Sequence, residues 1–359
     1  MRLGRRSWPA YGAFGVLGFV AGVALVVVLA RDQGRSPGTT ALLIAVSLAA
    51  SYLVTLATKV VTGADTHRYL HHQLGLLVLV PGALWLLGQP VLSSLDIVLM
   101  GQSTVLAIGR LGCLMAGCCH GKPAGWGVRY REAHVDSGFA RELARVRLFP
   151  LQLVEFAAVL ALVAAGSALI LGGAEAGSAS GVYVVGYGLV RFVLEYHRGD
   201  HTRRFLRGVS NVQWTILAIV ATWVALEAAG VLPLAYWHVL ALALMAAAAA
   251  FARPRLLLQS PHLHEVASVV RQLDAAPAEL RVHTTSLGVS ISAGVLERDG
   301  VRFRHYSLSQ EGGLDDDGAG DLATLVGRLE DTQHELVAGG HGVFHVLVPA
   351  QRSSAGTGA

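Results

Sequence analysis

The chain has 359 residues, of which 53% are hydrophobic and only 14% are charged, and its mean hydropathy is +0.52. A soluble globular protein of this length needs more charged surface, so the composition excludes that class and indicates a membrane protein. The formal net charge of +4 fits contact with anionic headgroups. Because no basic run is interleaved with aromatic residues, a nucleic-acid partner is not expected.

Apolar stretches of about 20 residues, the length needed to cross a bilayer, follow one another up to residue 252. The first comes after Arg5 and Arg6 and is too long for the apolar core of a signal peptide, so it is predicted to be a transmembrane helix. The last two are separated only by Gly230–Pro233. The predicted fold is therefore an all-α polytopic membrane domain, residues 1–252, with seven to eight transmembrane helices. The predicted spans are 9–30, 41–61, 73–88, 94–116, 151–172, 180–197, 211–229 and 234–252.

The linkers between these spans differ in charge. Linkers 62–72, 117–150 and 198–210 carry most of the Lys, Arg and His, whereas the alternate linkers are short and rich in Gly, Pro and Ser. All polar linkers are thus predicted on one side of the membrane. The positive-inside rule makes that side the cytoplasm.

From Arg253 the pattern becomes that of a small soluble α+β domain, predicted over 253–350, with a disordered tail at 351–359. Asp299-Gly300 is a hairpin signal between two strands. No motif in this domain carries chemistry, so a regulatory or protein-contact module is expected. The predicted helices are 263–273 and 321–329, and the predicted strands are 289–295, 301–308 and 343–348.

Ionisable residues inside apolar spans are costly and point to function. In the sixth span Tyr187, Arg191, Glu195 and Arg198 stand at offsets 0, 4, 8 and 11, within about 80° of one another on a helix. Arg191 and Glu195 can pair at i,i+4. These four residues on one helix face form either a buried ion pair that joins helices or a binding site for a lipid phosphate, whose oxygens match the planar guanidinium.

The fourth span ends in a glycine-rich segment around Arg110, from Gly109 to Gly121. Its glycines permit either close helix packing or the approach of backbone N–H groups to an anion. An arginine among them, together with the arginines of the sixth span, favours phosphate binding.

Further polar residues lie where spans begin. Gln152 and Glu155 follow Pro150, which suits the first turn of a helix, and their i,i+3 spacing is equally that of a helix contact. His71 precedes the third span and can act as a general base or be an ordinary loop histidine. Asp96, near the start of the fourth span, is explained by the helix N-terminus alone.

Cys113, Cys118, Cys119 and His120 allow a different interpretation, a membrane thiol or metal protein. The spacing is not a standard zinc pattern, and adjacent cysteines rarely bind the same tetrahedral ion. No metal and no cofactor are therefore expected.

Taken in order, these segments resemble the prolipoprotein diacylglyceryl transferases, a bacterial family, over about residues 9–225. The matching segments are Tyr11-Gly12 at the first span, Leu95-Asp96, the run Gly109-Arg110-Leu111-Gly112 with Gly117 and Gly121, Pro150 with Gln152, Leu153 and Glu155, Gly186-Tyr187 with Arg191, Phe192, Glu195 and Arg198, and Ser210 with Gln213.

The chain departs from the family pattern in the same segments, so it resembles a divergent Gly-Cys-Cys branch. The family histidine falls opposite Leu70 when counted without a gap, and opposite His71 after a slip of one residue. The other departures are Cys113 and Ala116 in place of Asn, Cys118 in place of Glu, and Phe149 in place of His.

The resemblance implies transfer of a diacylglyceryl group from phosphatidylglycerol to the lipobox cysteine of a preprolipoprotein signal peptide, in the bacterial inner membrane. It implies that the site faces away from the cytoplasm, against the positive-inside count. A non-catalytic phospholipid-binding protein of the same fold is the alternative, beside the thiol or metal protein. The implied catalytic residues are His71, Arg110 and Arg191, and the implied substrate-binding residues are Tyr11, Gly121, Gln152, Glu155, Tyr187, Glu195 and Arg198.

Overall fold

The computed structural model describes residues 2–3, 6–7, 10–63, 69–199, 205–253, 257, 260–275 and 281–349. Within them the chain forms eleven α-helices, and the predicted tail 351–359 lies outside the described residues. The helices are α1 (Ala10–Asp32), α2 (Pro37–Thr62), α3 (Tyr69–Leu86), α4 (Val91–Ala116), α5 (Glu132–Val135), α6 (Leu151–Leu171), α7 (Ser178–Glu195), α8 (Asn211–Ala228), α9 (Tyr236–Ala250), α10 (Ser260–Ala275) and α11 (Asp316–Glu330).

The strands form one larger antiparallel sheet and three two-stranded pairs within the described residues. Strands β7 to β11 make the larger sheet, in the order β10-β11-β9-β8-β7, and β1 pairs with β2, β3 with β4, and β5 with β6. The strands are β1 (Arg2–Leu3), β2 (Arg6–Ser7), β3 (Pro123–Arg129), β4 (Arg147–Leu148), β5 (Phe205–Leu206), β6 (Val209–Ser210), β7 (Val282–Thr284), β8 (Val289–Arg298), β9 (Val301–Gln310), β10 (Glu335–Gly340) and β11 (Val343–Pro349).

Five of the described helices, α1, α2, α4, α6 and α8, are long and apolar enough to cross a membrane, and α9 and the part of α3 from His72 to Leu86 are shorter apolar helices. The chain is therefore a multi-pass membrane protein. The ends of these helices carry ordinary signals. For example, α2 begins with Pro37 behind the N-cap Ser36, whose side chain accepts from Thr39 N, and ends at Gly63 with φ of 67°, a left-handed conformation that suits glycine.

Helix α4 is the most enclosed of the five long apolar helices. In its most apolar window 67% of the residues are buried, against 22–33% in the other four. Helix α1 crosses it closely, because a Cβ atom at Gly22 would lie only 2.6 Å from the carbonyl oxygen of Gly101. Small residues at such crossings let two backbones approach. Polar residues on the buried faces of α4 are thus kept away from lipid.

The described residues group into two compact units. Unit 1 consists of residues 1–116, 152–195 and 212–251, which contain α1–α4 and α6–α9. Unit 2 consists of residues 117–151, 196–211 and 252–359. The sequence places one domain boundary at 252, whereas the structure joins two linkers between membrane helices to the C-terminal residues.

In unit 2 the predicted strands and helices are confirmed. The β8–β9 hairpin turns at Asp299 and Gly300, with φ values of 53° and 75°, as the Asp-Gly signal predicts. Helix α11 starts at the N-cap Asp315, whose carboxylate accepts from Gly318 N. Strands β7 and β10, at the two edges of the sheet, are elements that the sequence analysis did not predict.

The hydrophobic core of unit 2 contains residues both of segment 117–151 and of the C-terminal segment that starts at 252. Tyr130, Phe139, Leu143 and Leu148 of segment 117–151 are buried in one cluster with apolar residues of α10, α11 and the sheet. Leu143 and Leu148 are fully buried. Segment 117–151 is therefore a packed part of the C-terminal fold and not an independent loop.

Candidate active site

A cluster of three polar side chains joins α4, α6 and α7 in unit 1. Arg110 Nη2 donates to Glu155 Oε1 at 2.9 Å, and the Tyr187 hydroxyl donates to the same oxygen at 2.7 Å. Glu155 is 0% exposed and Arg110 only 7%. Since a buried carboxylate is costly without compensating partners, Glu155 fixes the positions of both neighbours.

A second buried ion pair lies one turn further along α7. Arg191 Nη2 is 2.7 Å from Glu195 Oε2, and both side chains are buried. The i,i+4 pairing predicted from the sequence is confirmed. The Nη1 atom of Arg191 is buried and has no hydrogen-bond partner among the described residues, so one guanidinium donor remains for a ligand.

The two arginines converge on one place. Both guanidinium groups lie close enough to the Tyr187 hydroxyl to act on it electrostatically. Each arginine is matched by one carboxylate, so the four charged groups sum to zero. Such a neutral, buried set of charges is tolerable inside an apolar domain.

The positions of these residues along their helices explain the convergence. Arg110 lies near the end of α4 and Arg191 near the end of α7, whereas Glu155 lies in the second turn of α6. Helices joined end to end by linkers alternate in direction, so the ends of α4 and α7 meet the beginning of α6 on one side. Gln152, in the first turn of α6, is fully buried in the same region of that helix.

Tyr11 lies at the start of α1 and is 55% exposed. Its backbone approaches the glycine-rich segment, since a Cβ atom at Gly112 would lie 3.3 Å from Tyr11 Cα. Gly112 thus serves close helix packing, which is one of the two interpretations left open by the sequence.

Gly121 and Arg198 belong to unit 2, where they pair as an isolated antiparallel bridge. A Cβ atom at Gly121 would lie 2.4 Å from the Phe149 carbonyl oxygen, so only glycine fits. Helix α7 ends at Glu195. Arg198 therefore does not extend the helical stripe predicted from the spacing, although its side chain is buried.

Position 71 lies in α3, but the side chain of His71 is outside the described residues, as is that of Leu70. The next residue, His72, has its Nε2 atom 3.5 Å from Thr55 Oγ1 of α2. The register of the proposed base thus stays a prediction.

The three cysteines lie close together in the short segment that follows Arg110. One ligand atom from each of Cys113, Cys118 and Cys119 lies within 4.8 Å of the others. Cys113 is buried, Cys119 partly buried and Cys118 exposed. The chain turns at Gly117 and at Cys119, whose φ values are 75° and 54°, and this turn brings the thiols together.

Comparison with known proteins tests the family resemblance of these motifs. Residues 70–229 match the family model described as prolipoprotein diacylglyceryl transferase. The resemblance to the diacylglyceryl transferases is confirmed. A phosphatidylglycerol–prolipoprotein diacylglyceryl transferase of Clostridium tetani (strain Massachusetts / E88) is 32% identical over 114 residues, which are 31% of this chain and 43% of that relative. The chain thus matches less than half the length of this curated relative. No solved structure matches the chain.

The region matched to the diacylglyceryl transferases contains the whole buried cluster of Arg110, Glu155, Tyr187, Arg191 and Glu195. Tyr11, α9 and the C-terminal part of unit 2 lie outside the matched residues.

Sequence reasoning missed one contact next to Arg198. His264 of α10 has Nδ1 2.6 Å from Glu142 Oε1 and Nε2 2.7 Å from the Gly199 carbonyl oxygen. The Gly199 amide in turn donates to the His120 carbonyl oxygen. No spacing signal links positions so far apart in the chain, so only the structure reveals that a C-terminal helix supports the backbone beside Arg198.

Proposed function

We propose that the protein is a phosphatidylglycerol–prolipoprotein diacylglyceryl transferase of the bacterial inner membrane. The observation that carries the proposal is the pair of buried arginines, Arg110 and Arg191, held by Glu155 and Glu195 inside the segment matched to that family. Two fixed guanidinium groups near one hydroxyl, with one Nη1 donor unpartnered, suit a phospholipid phosphate.

In this reaction a cysteine thiolate attacks the glyceryl carbon that bears the phosphate. A C–S bond forms, the C–O bond to phosphate breaks, and glycerol phosphate leaves with the electron pair. Negative charge therefore grows on the phosphate oxygens in the transition state, where Arg110 and Arg191 stabilise it from a buried, preorganised position. Glu155 and Glu195 orient the arginines, while Gln152, Tyr187 and Tyr11 contact substrate.

The attacking thiol must first lose its proton, because the thiolate is the nucleophile. His71, in the first turn of α3, is the candidate base by its place in the family pattern. An imidazole is suited to this step because its ordinary pKa lies near neutral pH.

The experiment that tests the proposal combines two assays. The full chain should restore growth of a bacterium depleted of its own diacylglyceryl transferase, and the purified protein should transfer diacylglyceryl from phosphatidylglycerol vesicles to a lipobox peptide. If the protein binds phosphatidylglycerol but neither restores growth nor transfers diacylglyceryl to the peptide, the result would instead favour the non-catalytic lipid-binding alternative.

The grouping of unit 2 also supports eight membrane crossings, with α3, α7 and α9 added to the five long apolar helices. Segment 196–211 and the residues from 252 lie in the same compact unit, so α8 and α9 between them must leave one side of the membrane and return to it. The same reasoning applies to α6 and α7 between segments 117–151 and 196–211.

Single-cysteine labelling at two exposed positions of unit 2, Ser137 and Asp299, in a chain whose three native cysteines are replaced by serine, measures this topology. Both positions are expected to react with an impermeant reagent from outside the cell. Labelling of only one of them would exclude eight crossings, and labelling of neither in intact cells would exclude the outward orientation.

The cluster of cysteine ligand atoms favours a second candidate function, a membrane thiol or metal protein. Three cysteine sulfur atoms within 4.8 Å of one another could hold a soft metal ion once deprotonated. Elemental analysis of the purified protein decides between the two, and for a transferase we expect no stoichiometric metal and unchanged transfer after replacing Cys113, Cys118 and Cys119 by serine. Stoichiometric zinc or copper that is lost in the same variant would support the metal protein.

A further inference from the structure

A cleft of about 500 Å³ lies within unit 2, a size that accommodates a small organic ligand. It is bordered by Lys122 and Pro123, by His197, by Arg253 and by α11, and apolar side chains such as Leu325 line its floor. None of the arginines of the candidate active site in unit 1 lines it.

The charged groups that border the cleft are mostly cationic. Lys122, Arg253 and Arg328 face it together with one carboxylate, Asp321. Arg253 and Arg328 form no ion pair with any residue that the structure describes. Counted over the lining residues that the structure describes, the cleft carries a formal excess of two positive charges within a concave surface, where such charges attract an anion.

One of these cations has a close backbone contact. The Arg328 guanidinium lies over the backbone of Gly125, where a Cβ atom would be only 2.4 Å from Nη1. Burial and the neighbouring Lys122 ammonium lower the pKa of His197 from 6.5, so its imidazole is neutral at pH 7 and supplies an N–H donor without adding charge. Two forked guanidinium groups, one ammonium and one neutral donor match the oxygens of a phosphate.

We propose that this cleft binds a phosphate monoester as its dianion, either as a small soluble molecule or as the headgroup of a lipid. A monoester carries two negative charges above its second pKa of about 6, which matches the excess of two positive charges, whereas a phosphodiester carries one. This inference goes beyond the proposed transferase reaction and does not rest on it, since the cleft uses residues of unit 2 only.

Calorimetric titration of the purified full-length protein with glycerol 1-phosphate at pH 7.5 tests the site. Because hydrogen bonds to charged groups are stronger than those between neutral groups, the Arg253→Gln/Arg328→Gln variant is expected to bind at this site at least tenfold more weakly. The matched control is Arg298→Gln/Arg302→Gln, which removes the same charge from two exposed arginines around the β8–β9 hairpin and should bind as the wild type does.

The titration separates this proposal from the transferase proposal. If both proposals are right, the wild type binds two equivalents of glycerol 1-phosphate. The Arg253→Gln/Arg328→Gln variant then binds one equivalent, at the candidate active site, and the Arg191→Gln/Glu195→Gln variant binds one equivalent, in the cleft. If only the cleft binds, the wild type takes one equivalent and Arg253→Gln/Arg328→Gln takes none. The proposal is overturned if the Arg253→Gln/Arg328→Gln variant binds as many equivalents of glycerol 1-phosphate as the wild type does, with the same affinity.

Lipid nanodiscs distinguish the two sources of the phosphate. Binding to phosphatidic acid nanodiscs that depends on Arg253 and Arg328, without binding of glycerol 1-phosphate, identifies a lipid monoester as the ligand and upholds the proposal. Equal, arginine-dependent binding to phosphatidylglycerol nanodiscs contradicts selection of a monoester. No binding to any of these probes overturns the site altogether.

Discussion

Replacing Arg191 and Glu195 together by glutamine is expected to lower diacylglyceryl transfer at least a hundredfold while leaving the protein folded. The double replacement removes a buried ion pair as a neutral unit, so no uncompensated charge remains in the apolar interior. In the proposed reaction the variant lacks one preorganised cation at the phosphate, and loss of one such group typically costs a factor of about 10² to 10³ in rate. Transfer to a lipobox peptide and the thermal unfolding midpoint are the two measurements.

The Arg110→Gln/Glu155→Gln variant applies the same test to the other pair. The matched control is Arg35→Gln, which removes an arginine of unit 1 that bonds Ser93, far along the chain from either pair; its transfer rate should not change. A variant that unfolds at the wild-type temperature and still transfers at more than a tenth of the wild-type rate would show that the arginine concerned does not stabilise the transition state.

Replacing Asp96 by alanine is expected to give the largest loss of stability in unit 1. The Asp96 carboxylate accepts from Gly177 N at 2.7 Å, from Ser180 N at 2.7 Å and from the Ser180 hydroxyl at 2.5 Å, which joins α4 to the start of α7. Without it three buried donors lose their acceptor, at about 1 to 3 kcal/mol each. We therefore expect the thermal midpoint in detergent to fall on the order of 10 °C.

Two further variants calibrate that result. Ser180→Ala removes only the hydroxyl donor and should cost about 1 kcal/mol. Glu175→Ala removes a negative charge from an exposed position in the same linker and should leave the midpoint unchanged. A midpoint for Asp96→Ala equal to that of Glu175→Ala would mean that the carboxylate does not hold the two helices together.

The sequence predicts those parts of the site that depend on local helix geometry. The spacing of Arg191 and Glu195 follows from the helical repeat, and the structure pairs them as predicted. The apolar stretches likewise predict where the membrane helices lie, since length and hydropathy alone determine which segments can cross a bilayer. The ordered motifs predict a resemblance to the diacylglyceryl transferases, and residues 70–229 match the model of that family.

The sequence does not predict contacts between segments that are far apart in the chain. Nothing in the spacing of Arg110, Glu155 and Tyr187 shows that one carboxylate oxygen accepts from both of the others. The prediction for Arg198 was wrong for a related reason. The helical repeat places Arg198 on the same face as Tyr187, Arg191 and Glu195, but the helix ends at Glu195. Periodicity alone cannot detect a helix end that carries no strong stop signal. The sequence explains Asp96 by its own helix terminus, whereas the Asp96 carboxylate accepts a hydrogen bond from Ser180 N at the start of α7.

The shared core of unit 2 has a consequence for how the protein is made. Leu143 and Phe139 are buried against residues of α10, α11 and the sheet, which emerge from the ribosome more than one hundred residues later. Chains fold as their segments are synthesised, from the N-terminus onward. Segment 117–151 must therefore wait, with its apolar side chains uncovered, until the last strand is released, and a nascent chain halted near residue 252 would be a natural substrate for membrane proteases.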